Sequence, residues 1–96
     1  MEEIIEKIID QIRVFDEISP NYRFKFFDVF DYKSDIFVEY ITQCDYDDEG
    51  KNLLMEELKW HSALHNQNIY LYYKVNKDNK ISGYRNWKNK EGYTHV

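Results

Sequence analysis

The stretch DYDDEGKNLLME, residues 45–56, comes close to the loop with which EF-hands bind calcium. The residues that match the template D-x-[DN]-x-[DN]-G-x5-E are Asp45, Asp47, Gly50 and Glu56. The fifth position carries Glu49, and the preceding DIFVEYITQ alternates like a strand where an EF-hand has a helix. A helix N-terminus capped by Asp47 or Asp48 accounts for the same residues, because the helix dipole favours negative charge there. The sequence therefore predicts a capped helix and no calcium site.

A second candidate for metal chemistry is HSALH, in which His61 and His65 stand four residues apart. On a helix this spacing places both imidazoles on one face, as in zinc-binding helices, with Glu57 one turn earlier. The signature H-E-x-x-H lacks its Glu here, and nothing in the sequence brings Cys44 close. Both histidines fall on the apolar side of the predicted helix, which favours packing. We predict no metal or cofactor, leave open any further role of these three residues, and keep a metal-binding protein as the third interpretation.

The other reactive residues do not form a recognisable catalytic set. Cys44 has no local nucleophile signature around it. Glu56 and Glu57 are adjacent on a predicted helix and therefore point in different directions. With three glycines in the whole chain, there is no phosphate-binding loop. We expect no enzymatic activity.

Charge is distributed unevenly along the chain, whose net charge is −5. Residues 1–50 hold 14 acidic and 5 basic side chains, whereas residues 51–96 hold 4 and 8. Basic residues interleaved with aromatic ones are typical of surfaces that bind single-stranded nucleic acid. Those of the second half are Lys74, Lys80, Tyr84, Arg85, Trp87 and Lys88. The acidic first half would repel phosphates, so a small nucleic-acid-binding domain is the alternative interpretation.

Apolar periodicity predicts the element order α-β-β-α-β-β. Pro20 ends the first helix, Lys33-Ser34 turns the first hairpin, and four turn-forming residues join the second. This order predicts a single α+β domain spanning 1–96, with a four-stranded antiparallel sheet, both helices on one face and 88–96 as a frayed tail. The predicted helices are 1–18 and 50–66, and the predicted strands are 22–32, 35–43, 69–75 and 80–87.

The order of elements resembles that of the immunity proteins of the YezG type. The local matches are ISPNYRFKFFDVFDYKSDIFVEYI for their first hairpin and IYLYYKVNKDNKISGY for their second. The resemblance is one of topology and aromatic composition, and it assigns no residue a role.

Compartment is indicated by the single cysteine and by the acidic N-terminus. One cysteine allows no internal disulfide, which is typical of a reducing compartment, and Glu2 and Glu3 stand where a signal peptide would be basic. No apolar run approaches the ~20 residues that span a bilayer. We expect a cytoplasmic protein without membrane contact.

The sheet has more aromatic residues than one covered face requires. If the helices cover the face of Phe24, Phe26, Val38, Tyr40, Ile69, Leu71 and Tyr73, alternation sends Phe27, Val29, Phe37, Tyr70, Tyr72 and Tyr84 to the other. Exposed apolar patches of this kind mark interfaces, either with a partner or within a homodimer. The predicted partner-binding residues are Phe27, Phe37, Tyr70 and Tyr72, with the acids Asp28, Asp31, Asp35, Asp45, Asp47 and Asp48.

These features favour a non-catalytic binding protein that inhibits or neutralises a larger, basic partner, such as a nucleic-acid-handling enzyme. The acids would take the place of phosphates, and unlike charges would steer the two proteins together. Phage anti-defence proteins, including anti-CRISPR proteins, and toxin-immunity proteins both fit this description, and the sequence does not separate them.

Overall fold

The computed structural model describes residues 2–18, 25–42, 48–75 and 87–96. These residues form a compact α+β fold in which a four-stranded sheet, with strand order β1-β2-β3-β4, packs against two helices. The elements are α1 (Glu2–Ile18), β1 (Lys25–Tyr32), β2 (Asp35–Thr42), α2 (Asp48–His65), β3 (Ile69–Val75), a 3-10 helix (Trp87–Asn89) and β4 (Thr94–His95). Neither helix in this part of the chain is both long and apolar enough to cross a bilayer.

The first hairpin forms where the sequence predicts it. Lys33 and Ser34 have φ angles of 50° and 70°, and Tyr32 pairs with Asp35 on either side of them. Two successive residues with positive φ are typical of the tight turns whose twist matches that of paired strands. The turn therefore fixes the register of β1 against β2, in which Val29 faces Val38.

The sheet is mixed, and the prediction of a wholly antiparallel sheet is wrong. β2 and β3 run parallel, while β1–β2 and β3–β4 run antiparallel. The reason lies in α2, which joins β2 to β3 and returns the chain to the end of the sheet where β2 began. A strand that follows such a helical crossover beside its predecessor runs in the same direction.

The end of α2 sets the start of β3. Asn66 has a φ of 51°, and the amide of Gln67 donates to the carbonyl of Ser62 at 3.1 Å, an arrangement that ends helices. The Ser62 hydroxyl donates in return to the carbonyl of Gln67 at 2.5 Å. The carbonyl of Asn68 then accepts from the amide of Ile36 at 2.8 Å, which begins the parallel pairing.

Both helices pack on the same face of the sheet around one hydrophobic core. The helices contribute Ile8, Ile12, Phe15, Leu54 and Leu58, and the sheet contributes Val29, Ile36, Val38, Tyr40, Ile69 and Leu71. Phe27 and Tyr73 are partly buried against this core. β2 is buried on both faces from Ile36 to Thr42, as expected for a central strand that is covered on two sides.

The predicted face of β1 is wrong. Phe27 and Val29 lie on the face that the helices cover, not on the opposite face. The opposite face, called the outer face below, carries Phe30 from β1. The segment FKFFDVFDY has aromatic side chains at both odd and even positions, so alternation does not decide which set faces the helices.

The return strand of the second hairpin, predicted at 80–87, falls mostly outside the described residues. Trp87 begins the 3-10 helix, and the strand that pairs with β3 is β4, with Tyr70 opposite His95. The amide of Val96 also donates to the carbonyl of Ile69 at 2.9 Å. Residues 88–96, expected to fray, thus hold most of the 3-10 helix and all of β4.

Candidate protein-binding surface

The outer face of the sheet carries three of the four aromatic residues that were predicted to bind a partner. Phe37 stacks between Phe30 and Tyr70, with ring centroids 5.4 Å and 5.5 Å away. Tyr72 follows on the same face of β3. Phe37, however, is only 1% exposed, so this face is not the open surface that the sequence suggested.

Residues 87–96, called the C-terminal segment below, cover the outer face. The rings of Trp87 and Tyr93 approach Phe37 edge-on, with centroids at 6.1 Å and 5.3 Å. Trp87 also meets Phe30 at 5.5 Å and Tyr32 at 4.6 Å. The aromatic residues that exceed the needs of the main core therefore build a second, smaller core beneath this segment.

Lys90 attaches the C-terminal segment to the beginnings of β2 and β3. Its Nζ lies 3.3 Å from Oδ2 of Asp35 and 4.6 Å from the centre of the Tyr70 ring. Hydrogen bonds with Tyr70 and Asp35 raise the pKa of Lys90 above its ordinary value of 10.5. Asn68 donates to the second carboxylate oxygen of Asp35 at 3.3 Å. Asp35 therefore serves the fold rather than offering a free charge to a partner.

Gly92 and Tyr93 bring the C-terminal segment close to the middle of the sheet. Gly92 has a φ of 82°, and a Cβ at this position would stand 3.1 Å from the ring of Tyr72. The Tyr93 hydroxyl donates to Oε2 of Glu39 at 2.7 Å. Glu39 is buried, so this hydrogen bond supports a carboxylate that is shielded from water.

The other predicted acids are not brought together into one cluster. Asp28 and Asp31 are exposed on β1, and neither forms an ion pair with another described residue. Asp48 is the first residue of α2. Asp45 and Asp47 lie outside the described residues. Within the part of the chain that the structure describes, these acids thus lie on β1 and at the start of α2.

The residues of the predicted nucleic-acid surface are described only in part. Lys80, Tyr84 and Arg85 lie outside the described residues. Lys74 is half-buried at the end of β3, and the Lys88 ammonium lies 5.3 Å from the centre of the Trp87 ring. Since Trp87 packs edge-on against the outer face, much of its ring contributes to the fold rather than to a stacking platform.

The side of α2 away from the sheet carries apolar side chains in the open. Leu53, Trp60 and Leu64 are 50%, 59% and 59% exposed. They are seven and four residues apart, close to whole turns, so they form one line along the helix, called the α2 stripe below. Leu54 and Leu58, which also lie on α2, are buried in the core instead.

Two carboxylates border the α2 stripe. Glu56 and Glu57 are exposed on α2 between Leu53 and Trp60, and neither forms an ion pair with another described residue. The stripe therefore combines exposed apolar side chains, which would gain from leaving water, with exposed negative charges. Leu53 and Leu54 are adjacent on a helix and therefore point in different directions, so they cannot both face the core. This spacing was the feature of the sequence that could have indicated an exposed apolar line.

His61 and His65 stack on one another in a way that does not suit a shared metal ion. Their rings are 5.9 Å apart and almost parallel, at 7°. A metal ion lies in the plane of each imidazole that binds it, so rings in separate parallel planes do not share one. His61 is 5% exposed, and neither of its ring nitrogens has a hydrogen-bond partner among the described residues. No group of three potential ligands occurs in that part of the chain.

The environment of His61 keeps it neutral. Burial is the largest cause that lowers the pKa of His61 below the ordinary value of 6.5, followed by the electrostatic effect of the neighbouring His65. Glu57 acts in the opposite direction, and Lys7 on α1 adds to the lowering. The His61 ring packs beside that of Trp60, with centroids 5.1 Å apart. Protonation of this buried imidazole in acid would therefore disturb the packing.

The calcium template overlaps the start of α2. The helix begins at Asp48, the fourth position of the template, so Gly50 lies inside the helix and is buried there. An EF-hand loop needs this glycine in a sharp turn before its exit helix begins. The arrangement of 48–56 is therefore that of a helix N-terminus, as the distribution of acids predicts.

Comparisons with known proteins assign the chain to no family. No protein-family model matches the chain, and neither a curated protein nor a solved structure matches it.

Proposed function

We propose that this chain is a non-catalytic binding protein that docks onto a larger, basic partner protein through the α2 stripe and inhibits or neutralises it. The observation that carries the proposal is the line of three half-exposed apolar residues on α2 beside two exposed glutamates, neither of which forms an ion pair with another described residue. Tryptophan is among the residues that most often dominate binding energy at interfaces.

The α2 stripe replaces the outer face as the docking surface. The aromatic residues there are covered by the C-terminal segment, which makes its own ring contacts and hydrogen bonds with them. A partner at that face would have to displace these contacts. Leu53, Trp60 and Leu64 need no such displacement, because they already face the solvent.

A basic partner follows from charge. The chain carries a net charge of −5, and the carboxylates of Glu56 and Glu57 beside the stripe are exposed to solvent. Lys and Arg side chains on the partner would meet them, which increases the association rate and excludes acidic competitors. Nucleic-acid-handling enzymes have basic surfaces of this kind, so the inhibited partner would be a defence nuclease in a phage setting or a toxin in an immunity setting.

The proposal is tested with the partner that the protein captures. The partner is purified and titrated by calorimetry with the wild-type chain, with Trp60→Ala and with Val14→Ala. Val14 is the matched control, since it is 51% exposed but lies on α1. We expect Trp60→Ala to weaken binding at least tenfold and to release the partner's activity, and Val14→Ala to leave both unchanged.

Two results would contradict the proposal. Equal affinity of the wild-type chain and Trp60→Ala would remove the α2 stripe as the docking surface. A robust complex with single-stranded DNA or RNA at physiological salt, lost when Lys74 and Lys88 are replaced by alanine, would favour the nucleic-acid-binding alternative.

A further inference from the structure

The α2 stripe constrains the kind of element that binds to it. We infer that its occupant is a basic amphipathic α-helix of the partner protein; this inference rests on the proposed function. The stripe lies on a helix, whose backbone groups are already hydrogen-bonded within α2. An extended strand gains its affinity from main-chain hydrogen bonds to a free sheet edge, which a helix surface does not offer.

The dimensions of the stripe fit a helix laid along it. Leu53 and Leu64 are eleven residues apart, which corresponds to about 17 Å along the axis, or three turns. Trp60 stands between them on the same line. A partner helix with apolar residues at positions i, i+3 or i+4, and i+7 would place side chains on either side of this line, as in ridge-into-groove packing.

The charges beside the stripe specify the polar flanks of that helix. Glu56 and Glu57 lie on opposite sides of the line from Leu53 to Trp60, so both flanks of a docked helix would meet a carboxylate. Lys or Arg residues next to the apolar positions of the partner would form ion pairs there. Acidic residues at those positions would be repelled, which provides specificity as well as attraction.

A second copy of this chain fits the stripe poorly. Two α2 helices packed across a two-fold axis would bring Glu57 of one copy towards Glu57 of the other, since this residue lies near the middle of the line. Like charges facing each other oppose association.

The inference is tested with an 18-residue synthetic peptide of lysine and leucine in amphipathic order, and with a scrambled peptide of identical composition. Trp60 is the reporter, in a Trp87→Phe background that removes the other tryptophan. We expect the amphipathic peptide to move the Trp60 emission to shorter wavelength and to bind at least tenfold more tightly than the scrambled one. Higher salt should weaken this binding.

Variants on and off the stripe complete the experiment. Leu64→Ala should weaken peptide binding several-fold, Glu56→Gln with Glu57→Gln should reduce its dependence on salt, and Val14→Ala should change neither. Equal binding of the two peptides, or unchanged binding by Leu64→Ala, would overturn the helical occupant. If the captured partner still depends on Trp60 in that case, the proposed function stands; if it does not, the proposed function fails as well.

Discussion

At the scale of single residues, His61 is the clearest case of a side chain whose environment sets its behaviour. It faces the core at 5% exposure without a hydrogen-bond partner among the described residues, and its pKa is lowered mainly by burial. In the unfolded chain the same imidazole takes up a proton as the pH falls below about 6.5. The unfolded state then binds more protons than the folded state, so acid favours unfolding.

We therefore predict that the free energy of unfolding decreases as the pH falls from 7.5 towards 5.5, and that His61→Leu shows a smaller decrease. At pH 7.5 the variant should lie within about 1.5 kcal/mol of the wild type, because leucine fills a similar volume without unpaired nitrogens. Urea denaturation at several pH values measures both quantities. An identical pH dependence in the two proteins would show that other groups cause it.

Gly92 is the second residue whose type follows from its surroundings. Its φ of 82° disfavours any residue with a Cβ, and that atom would press on the Tyr72 ring at 3.1 Å. We expect Gly92→Ala to destabilise the fold by about 1–2 kcal/mol, as measured by urea denaturation. Peptide binding at the α2 stripe should remain unchanged, since α2 lies on the other face of the sheet. A neutral substitution would mean that the segment adjusts its backbone freely.

At the scale of elements, the local signals in the sequence were sufficient for the first helix and the first hairpin. α1 has a continuous apolar side, and Lys33-Ser34 separates two strands of equal length, so both were predicted correctly. The orientation of β3 was not predictable in the same way, because it depends on the path of α2 rather than on the residues of β3. Periodicity identifies a strand, but it does not state the direction in which that strand joins the sheet.

The exposed and covered surfaces were harder to predict than the elements, because they too depend on the path of distant parts of the chain. Phe37 and Tyr70 were correctly assigned to the face opposite the helices, yet nothing in NKEGYTHV indicates that this polar segment covers them. Conversely, the exposure of Leu53, Trp60 and Leu64 was not predicted, because α2 is apolar over a broad arc. Burial in this chain depends on which distant segment lies above a residue, and this is a property of the tertiary structure.

The second core beneath the C-terminal segment gives a prediction at this scale. Phe37→Ala should destabilise the protein by about 3–5 kcal/mol, because Phe37 is 1% exposed and is surrounded by four aromatic rings. Trp60→Ala should change stability by less than about 1 kcal/mol, because the indole of Trp60 is 59% exposed. Thermal and urea unfolding of both variants test the contrast. A mild effect of Phe37→Ala would mean that the segment covers the sheet only loosely.

At the scale of the whole molecule, both faces of the sheet are covered, but by structural elements of very different size. Two helices bury one face, whereas ten residues at the C-terminus cover aromatic residues on the other. A homodimer formed through the outer face, which the sequence offered as an alternative to a partner, would compete with this segment for the same rings. Because the segment is attached to its own sheet, it holds an advantage in effective concentration over a second copy.

The last prediction follows from that competition: the chain of residues 1–96 is a monomer at micromolar concentration, and a chain of residues 1–86 self-associates. Removing the C-terminal segment exposes Phe37, Tyr70 and the unpaired edge of β3, and exposed patches and edges of this kind drive association. Light scattering measures the mass, and circular dichroism checks that the shortened chain keeps its secondary structure.

If the shortened chain does not fold, Lys90→Ala with Tyr93→Phe provides a milder test, since these changes remove the ion pair with Asp35 and the hydrogen bond to Glu39. That variant should associate more strongly than the wild type, and more strongly than Lys88→Ala, because the Lys88 ammonium lies over the Trp87 ring of its own segment. The chain of residues 1–96 could already be dimeric in this measurement, with a dimerisation affinity that these changes do not alter. That result would show that the dimer interface lies elsewhere.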